Sequence, residues 1–275
     1  MTKEFFDAAA AYLPDICFKE PPALGLVLGS GWDLSINSSD IIVKIDYSDI
    51  PGLGKTGVKG HAGEFIIFKY ASSNIVVWRG RRHYYEGEGW GPVVLPIEIS
   101  RRMGCQKILL TNASGGINGA LKPGDFVVVR DHINTVSQNP LIGPHVEEWG
   151  ERFPDMTQVY SKRMNDLLHA SAKDLDQRIM DGVYVFTAGP IYETPAEINS
   201  YKAQGGDVVG MSTVPEAIFA HACGIEVASV SFVSNYAAGI AGKSLCHEEV
   251  LKSGAAAKPL MAKLLDGFLS RLIVR

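Results

Sequence analysis

Apolar positions along the chain fall into short continuous runs and longer stretches of helical period, and the two kinds alternate. The opening segment MTKEFFDAAAAYLPD predicts an amphipathic helix, and Pro21 and Pro22 mark the break after it. A buried strand follows at Ala23 to Leu28 and runs into the turn Gly29-Ser30-Gly31. Further strands are predicted at Ile41 to Ile45, Glu64 to Tyr70, Asn74 to Trp78, Lys107 to Thr111, Asp125 to Val129, Val183 to Phe186, Asp207 to Met211 and Ile225 to Val233. Helices are predicted at Pro92 to Met103, at Gln158 to Leu175 with Leu167, Leu168 and Ala172 facing inward, and from His247 to Leu272 with a kink near Pro259. Such alternation predicts an α/β protein, and 275 residues suit one large domain or two small ones.

In sheets of this kind ligands collect outside the carboxyl ends of the strands. Small or glycine-containing turns follow strands at Gly29, Asn112, Ala188 and Ser212, which points to one pocket built from four strand ends. Two of these junctions lie within Val185 to Glu216. At the first, Thr194, Pro195 and Glu197 spell a capping box with proline at the first helical position, so Glu193 is expected at a helix entrance. At the second, Ser212 ends the strand, and Thr213 with Glu216 forms another capping box opening a helix through Cys223. A serine beside a fresh helix N-terminus suits a phosphate, and a carboxylate in an apolar turn suits a ligand with two adjacent N–H groups.

The segment GRRHYYEG, from Gly80 to Gly87, crowds Arg81, His83, Tyr85 and Glu86 at a strand terminus. Arg81 and His83 make a donor set for phosphate oxygens, and Glu86 is placed to orient the imidazole. If the segment stays extended, Arg81, His83 and Tyr85 share one side and Arg82 faces away. Asn235, at the end of a strand, has an amide able to donate and accept together. His61 in the glycine-rich loop PGLGKTGVKGHAG reads as a surface histidine before a substrate contact, and His247 at the start of the last helix reads as a helix-end histidine before a ligand contact. The long connection from His132 to Met156 carries Trp149, which either caps a pocket or interface or anchors its own loop.

Composition narrows the partners. A net charge of -4 without a basic run argues against nucleic acid, and no apolar run is long enough for a bilayer. The N-terminus does not read as a signal peptide. The four cysteines lack metal-ligand or CxxC spacing and suit reduced thiols in a cytoplasmic protein. LGSGWDL lacks the third glycine of a dinucleotide loop, with Leu34 in its place, and no Walker lysine is present.

The residues LGSG at Leu28, HAG at His61, GRxHxYEG at Gly80, TNASGG at Thr111, AGPxYET at Ala188, GMSTVPE at Gly210, SN at Ser234 and HEEV at His247 together resemble the trimeric purine nucleoside phosphorylases. They occur in family order across nearly the whole chain. The resemblance implies a single domain over residues 1–275, with a mixed central β-sheet flanked by helices, in an enzyme acting on purine nucleosides and orthophosphate. It assigns Ser30, Arg81, His83, the Ala113 backbone N–H and Ser212 to phosphate. Tyr85, Met211 and His247 would frame the ribose, Tyr192 would pack on the purine, and Glu193 and Asn235 would bind its polar edge. Glu193, Asn235 and His83 are then the catalytic candidates. Trp149 matches a position where the family lends an aromatic residue across a trimer interface. No metal or cofactor is implied, since orthophosphate is a co-substrate. Arg82, Ser114, Ile191 and Tyr236 depart from the family pattern and bear on fine specificity.

Three rival readings are weaker. A serine hydrolase would want glycine where Val214 follows the Ser212 elbow. The methylthioadenosine branch of the family would favour Asp at position 235, and a non-catalytic sensor would not need both the phosphate pair and the Asn235 donor.

Overall fold

The computed structural model describes residues 1–57, 62–242 and 247–274, the side chain of His247 excepted. His61 and Cys246 lie outside the described residues.

Nine strands form one sheet: β1 (Leu24–Leu28), β2 (Ile41–Asp46), β3 (Glu64–Tyr70), β4 (Ser73–Arg79), β5 (Lys107–Gly116), β6 (Phe126–Asn134), β7 (Ile179–Phe186), β8 (Val208–Gly210) and β9 (Glu226–Tyr236). Their order is β2-β3-β4-β1-β5-β8-β7-β6-β9, and β9 also pairs with β5. The last five strands therefore close on themselves, while β2, β3, β4 and β1 extend from this ring as an open wing. Pairing is mixed. β1 runs parallel to β4 and β5, and β5 runs parallel to β9 over its length, whereas β5–β8 and β6–β9 are antiparallel. The mixed sheet with flanking helices is as expected; ring closure was not foreseen.

Strands β1, β4, β5 and β7 are rich in Val, Ile, Leu and aromatic residues, because helices cover the sheet on both sides. On one side pack α1 (Lys3–Tyr12), α2 (Trp90–Arg102) and α5 (Val214–Ala222), around Phe6, Trp78, Val94 and Phe219. On the other lie α3 (Lys162–Asp174) and α6 (His247–Ile273), around Met164, Leu168, Met261 and Phe268. Each such side chain, fully buried, contributes ~1.5–3 kcal/mol. The remaining helix, α4 (Pro195–Ala203), follows the Glu193 turn.

Several boundaries differ from expectation for identifiable reasons. The helix expected from Gln158 begins at Lys162, because Ser161 caps it by accepting from Met164 N–H, and Tyr160 instead bridges to Val227. NASGG is not a turn: β5 continues through Gly116, paired with β9 along one edge and with β8 at its end. Helix α6 is continuous through Pro259. Cys17, Cys105 and Cys223 are free thiols, and burial raises them to about 11, 11 and 12, so they are inert at neutral pH.

Candidate active site

The ends of β1, β4, β5, β7, β8 and β9 converge on one cleft of about 760 Å³ that opens to solvent. Ser30, Arg81, His83, Ala113 and Ser212 line it together with Tyr85, Tyr192, Glu193, Met211 and Asn235. Ten of the residues singled out from the sequence thus meet, though the chain spreads them over more than two hundred positions. Asn112, Ser114, Gly115, Val209, Gly210, Ser234, Ala237 and Val250 complete the walls. Asn112, expected in a turn at the pocket, reaches it from within β5, which runs on past Thr111.

Arg81 is buried and held from two sides. Its Nε donates to Glu216 Oε1 at 3.0 Å, and Nη1 donates to the Thr111 carbonyl at 2.6 Å. Glu216 also accepts from Thr213 N–H at 2.6 Å through Oε2. The capping box read from the sequence is therefore present, and its carboxylate does a second job by fixing the guanidinium. Thr213 has φ +74°, a conformation L-residues avoid, and Asn112 Nδ2 further holds its hydroxyl at 2.9 Å. The result turns the chain sharply after β8, which places Ser212 in a bend rather than at the end of the strand.

His83 and Tyr85 stack, with ring centroids 4.8 Å apart. Glu86 Oε1 accepts from the His83 backbone N–H at 2.6 Å and lies 3.5 Å from Nδ1. The segment does not stay extended, because Tyr84–Glu86 forms a 3₁₀ turn. Arg81, His83 and Tyr85 nonetheless all face the cleft, while Arg82 turns away to Glu86 and Glu88. Burial lowers the His83 pKa, which keeps the imidazole neutral, despite the opposing effect of Glu86. Burial acts to raise Glu86, but hydrogen bonds from the His83 side chain and backbone, the Arg82 charge and Gly57 N–H outweigh it and bring it to about 2.

Small residues make the close approaches possible. A Cβ on Gly29 would stand 2.5 Å from the Thr111 carbonyl oxygen and 2.6 Å from Arg81 Nη1. At Gly31, with φ +82°, it would stand 2.8 Å from the Cα of Gly254, so α6 crosses directly over the Ser30 loop.

Glu193, also on the cleft, precedes the Thr194 cap, where Glu197 N–H donates to Thr194 Oγ1 at 3.2 Å and Thr194 N–H to Glu197 Oε2 at 2.7 Å. Glu193 Oε1 accepts from Thr187 Oγ1 at 2.8 Å. Asn235 Oδ1 accepts from Ser234 Oγ at 2.7 Å, and Nδ2 gives one hydrogen to the Tyr236 carbonyl at 2.8 Å. Among the described residues its second amide hydrogen has no protein acceptor, which leaves it for a ligand. Thr187 was not singled out from the sequence, and its contact with Glu193, six residues on, depends on how the turn between them folds.

Trp149 requires correction. Its ring is buried in its own chain, edge-on to Phe6 at 5.6 Å and to Phe219 at 5.1 Å, and it does not line the cleft. Of the two readings of that residue, the anchor of its own loop holds. The aromatic this loop does present to solvent is Phe153, 85 % exposed, with the Arg152 guanidinium 5.9 Å from its ring centroid. His247 begins α6 close in sequence to Val250 of the cleft wall.

Among the described residues no cluster of His, Cys, Asp or Glu could hold a metal ion, and no helix is long and apolar enough to cross a membrane.

The model of the phosphorylase superfamily matches residues 23–270. Purine nucleoside phosphorylase 1 of Geobacillus stearothermophilus is 43 % identical over 253 residues, covering 92 % of both chains. The crystal structure of Schistosoma mansoni purine nucleoside phosphorylase in complex with inosine superposes with a TM-score of 0.87 at 34 % identity, covering 98 % of this chain and 97 % of that one. The complex of the Schistosoma mansoni enzyme with adenosine gives a TM-score of 0.86 at 35 % identity, covering 98 % of both. With a family model spanning most of its length and relatives matching it nearly end to end, the chain belongs to the purine nucleoside phosphorylases of the phosphorylase superfamily.

Proposed function

We propose that the protein catalyses reversible phosphorolysis of 6-oxopurine ribonucleosides and deoxyribonucleosides, such as inosine and guanosine, to free base and (deoxy)ribose 1-phosphate. The observation that carries this is the convergence of Arg81, His83 and Ser212 with Glu193 and Asn235 on one cleft.

Orthophosphate takes hydrogen bonds from Ser30, Arg81, His83, Ser212 and the Ala113 N–H, with its attacking oxygen beneath C1′ of the ribose. Tyr85, Met211 and His247 frame the sugar, and Tyr192 packs on the base. As the C1′–N9 bond lengthens, its electron pair passes to the purine, and the phosphate charge steadies the oxocarbenium-like ribosyl group before the new C1′–O bond closes. Positioning and charge stabilisation supply the rate, with no covalent enzyme intermediate and no cofactor beyond orthophosphate. Asn235 Nδ2 donates toward N7 and O6, where the leaving charge gathers; such a donor is worth roughly 3 kcal/mol of barrier. Glu193 accepts from N1–H. Adenine presents a lone pair at N1 and meets the carboxylate without a proton, so discrimination is expected in turnover, by orders of magnitude. An adenosine complex of a relative concerns occupancy of its site, not rate.

The assembly expected of this family is a homotrimer, and the aromatic that this chain offers to a neighbouring pocket is Phe153 in place of Trp149. A role in cytoplasmic purine salvage fits this chemistry. The test is the rate of base release from inosine, guanosine and adenosine against phosphate concentration: saturable, phosphate-dependent release from the two 6-oxopurines is expected, and equal rates with adenosine would contradict the Glu193 and Asn235 roles.

A further inference from the structure

Thr187 directly follows β7, and its backbone N–H donates to the Gly210 carbonyl at 3.0 Å, fixing it against the end of β8. The residue is only 8 % exposed, and its hydroxyl donates to Glu193 Oε1 at 2.8 Å. Among the described residues, Thr187 is the one hydrogen-bond donor to that carboxylate. The platform is itself anchored, since Thr135 Oγ1 donates to the Phe186 carbonyl at 2.7 Å. Glu193 therefore stands in the cleft with one oxygen already engaged and the other available to a base.

We propose that Thr187 is a positioning residue that sets base selectivity, tilting the site toward a purine with a single N–H on its N1 edge, hypoxanthine, over one with two, guanine. This rests on the phosphorolysis reading above. An ionised carboxylate offers two oxygens, and a base with N1–H beside a 2-amino group uses both in parallel. With Thr187 on Oε1, the 2-amino group must share that oxygen with a hydroxyl held by buried backbone. Hypoxanthine needs only Oε2 and meets a carboxylate whose orientation is already fixed.

The decisive variants are Thr187→Val, which keeps the shape and removes the donor, and Thr187→Ser, which keeps the donor. The guanosine-to-inosine ratio of kcat/KM is expected to rise about tenfold in Thr187→Val, as for loss of a hydrogen bond to a charged group, and to stay within about twofold of the parent in Thr187→Ser. Calorimetric binding of guanine and hypoxanthine in phosphate buffer, on the same three proteins, is expected to show the same shift. An unchanged ratio in Thr187→Val, or an equal shift in Thr187→Ser, overturns the proposal. If the parent protein cleaves no nucleoside, the phosphorolysis reading fails by itself, and the two binding constants still decide whether Thr187 selects between the bases.

Discussion

Arg81 and Glu216 form a buried ion pair, Nε to Oε1 at 3.0 Å, that joins the loop after β4 to the first turn of α5. Two donors depend on the one carboxylate, the guanidinium and Thr213 N–H. Glu216→Gln can satisfy only one of them, and a buried donor left unmatched costs ~1–3 kcal/mol. The expected outcome is a rise of about tenfold in KM for phosphate with little change in KM for inosine, measured by steady-state kinetics. Glu216→Ala, which strands the charge altogether, is expected to lose ~3–5 kcal/mol of stability in denaturant titration.

Gly29 touches the same guanidinium from the strand side. Gly29→Ala drives a methyl group against backbone at Thr111 and Asn112 as well as Arg81, and overpacking of this kind costs ~1–3 kcal/mol. A lower Tm together with a higher KM for phosphate is predicted. A fall in Tm with unchanged phosphate kinetics would separate Gly29 from the Arg81 geometry.

Glu86 supplies a pH dependence whose sign is fixed. Its carboxyl is lowered from 4.5 to about 2, so the folded state releases the proton more readily than the unfolded chain. The stabilisation is complete above about pH 4.5 and is lost as pH falls toward 2, amounting to at most ~3 kcal/mol. His83, lowered by burial, adds a loss of the same sign that begins below about pH 6.5. Urea titrations of the parent and Glu86→Gln are expected to differ most at pH 7 and to converge only as pH falls to about 2.

Asn235 can be tested for chemistry and for selection. Asn235→Ala is expected to lower kcat for inosine about 100-fold, as for loss of a donor to developing charge. Asn235→Asp places an acceptor opposite the purine 6-position and is expected to raise the adenosine-to-inosine ratio of kcat/KM. Steady-state rates with both nucleosides decide both points.

Trp149 and Phe153 make a matched pair on one loop. Trp149→Ala empties a buried site between Phe6 and Phe219 and is expected to cost ~3–5 kcal/mol in stability. Phe153→Ala removes an exposed ring and is expected to leave Tm unchanged while raising KM for inosine. Light scattering of the parent and both variants tests whether the proposed homotrimer forms and whether either change disrupts it.

Much of the site was legible because strand ends and helix caps leave local signatures. Thr194 with Glu197 and Thr213 with Glu216 form the expected capping boxes, and the residues beside them, Glu193 and Ser212, do reach the cleft. The fold class followed from alternating strands and helices. What stayed hidden depends on long-range pairing. β5 runs on through Gly116 because β9 and β8 supply its partners, and nothing near NASGG announces them. The same holds for Glu216 on Arg81, 135 residues apart, and for the burial of Trp149 against α1 and α5. A lone tryptophan in a long loop looks alike whether it faces a neighbour or its own core.

The most direct test of the account is ³¹P NMR of the protein with inosine and orthophosphate. Ribose 1-phosphate appearing in step with hypoxanthine, and no base release when phosphate is omitted, is the predicted result. Release of hypoxanthine with free ribose and an unchanged phosphate signal would contradict it and make the cleft that of a hydrolase.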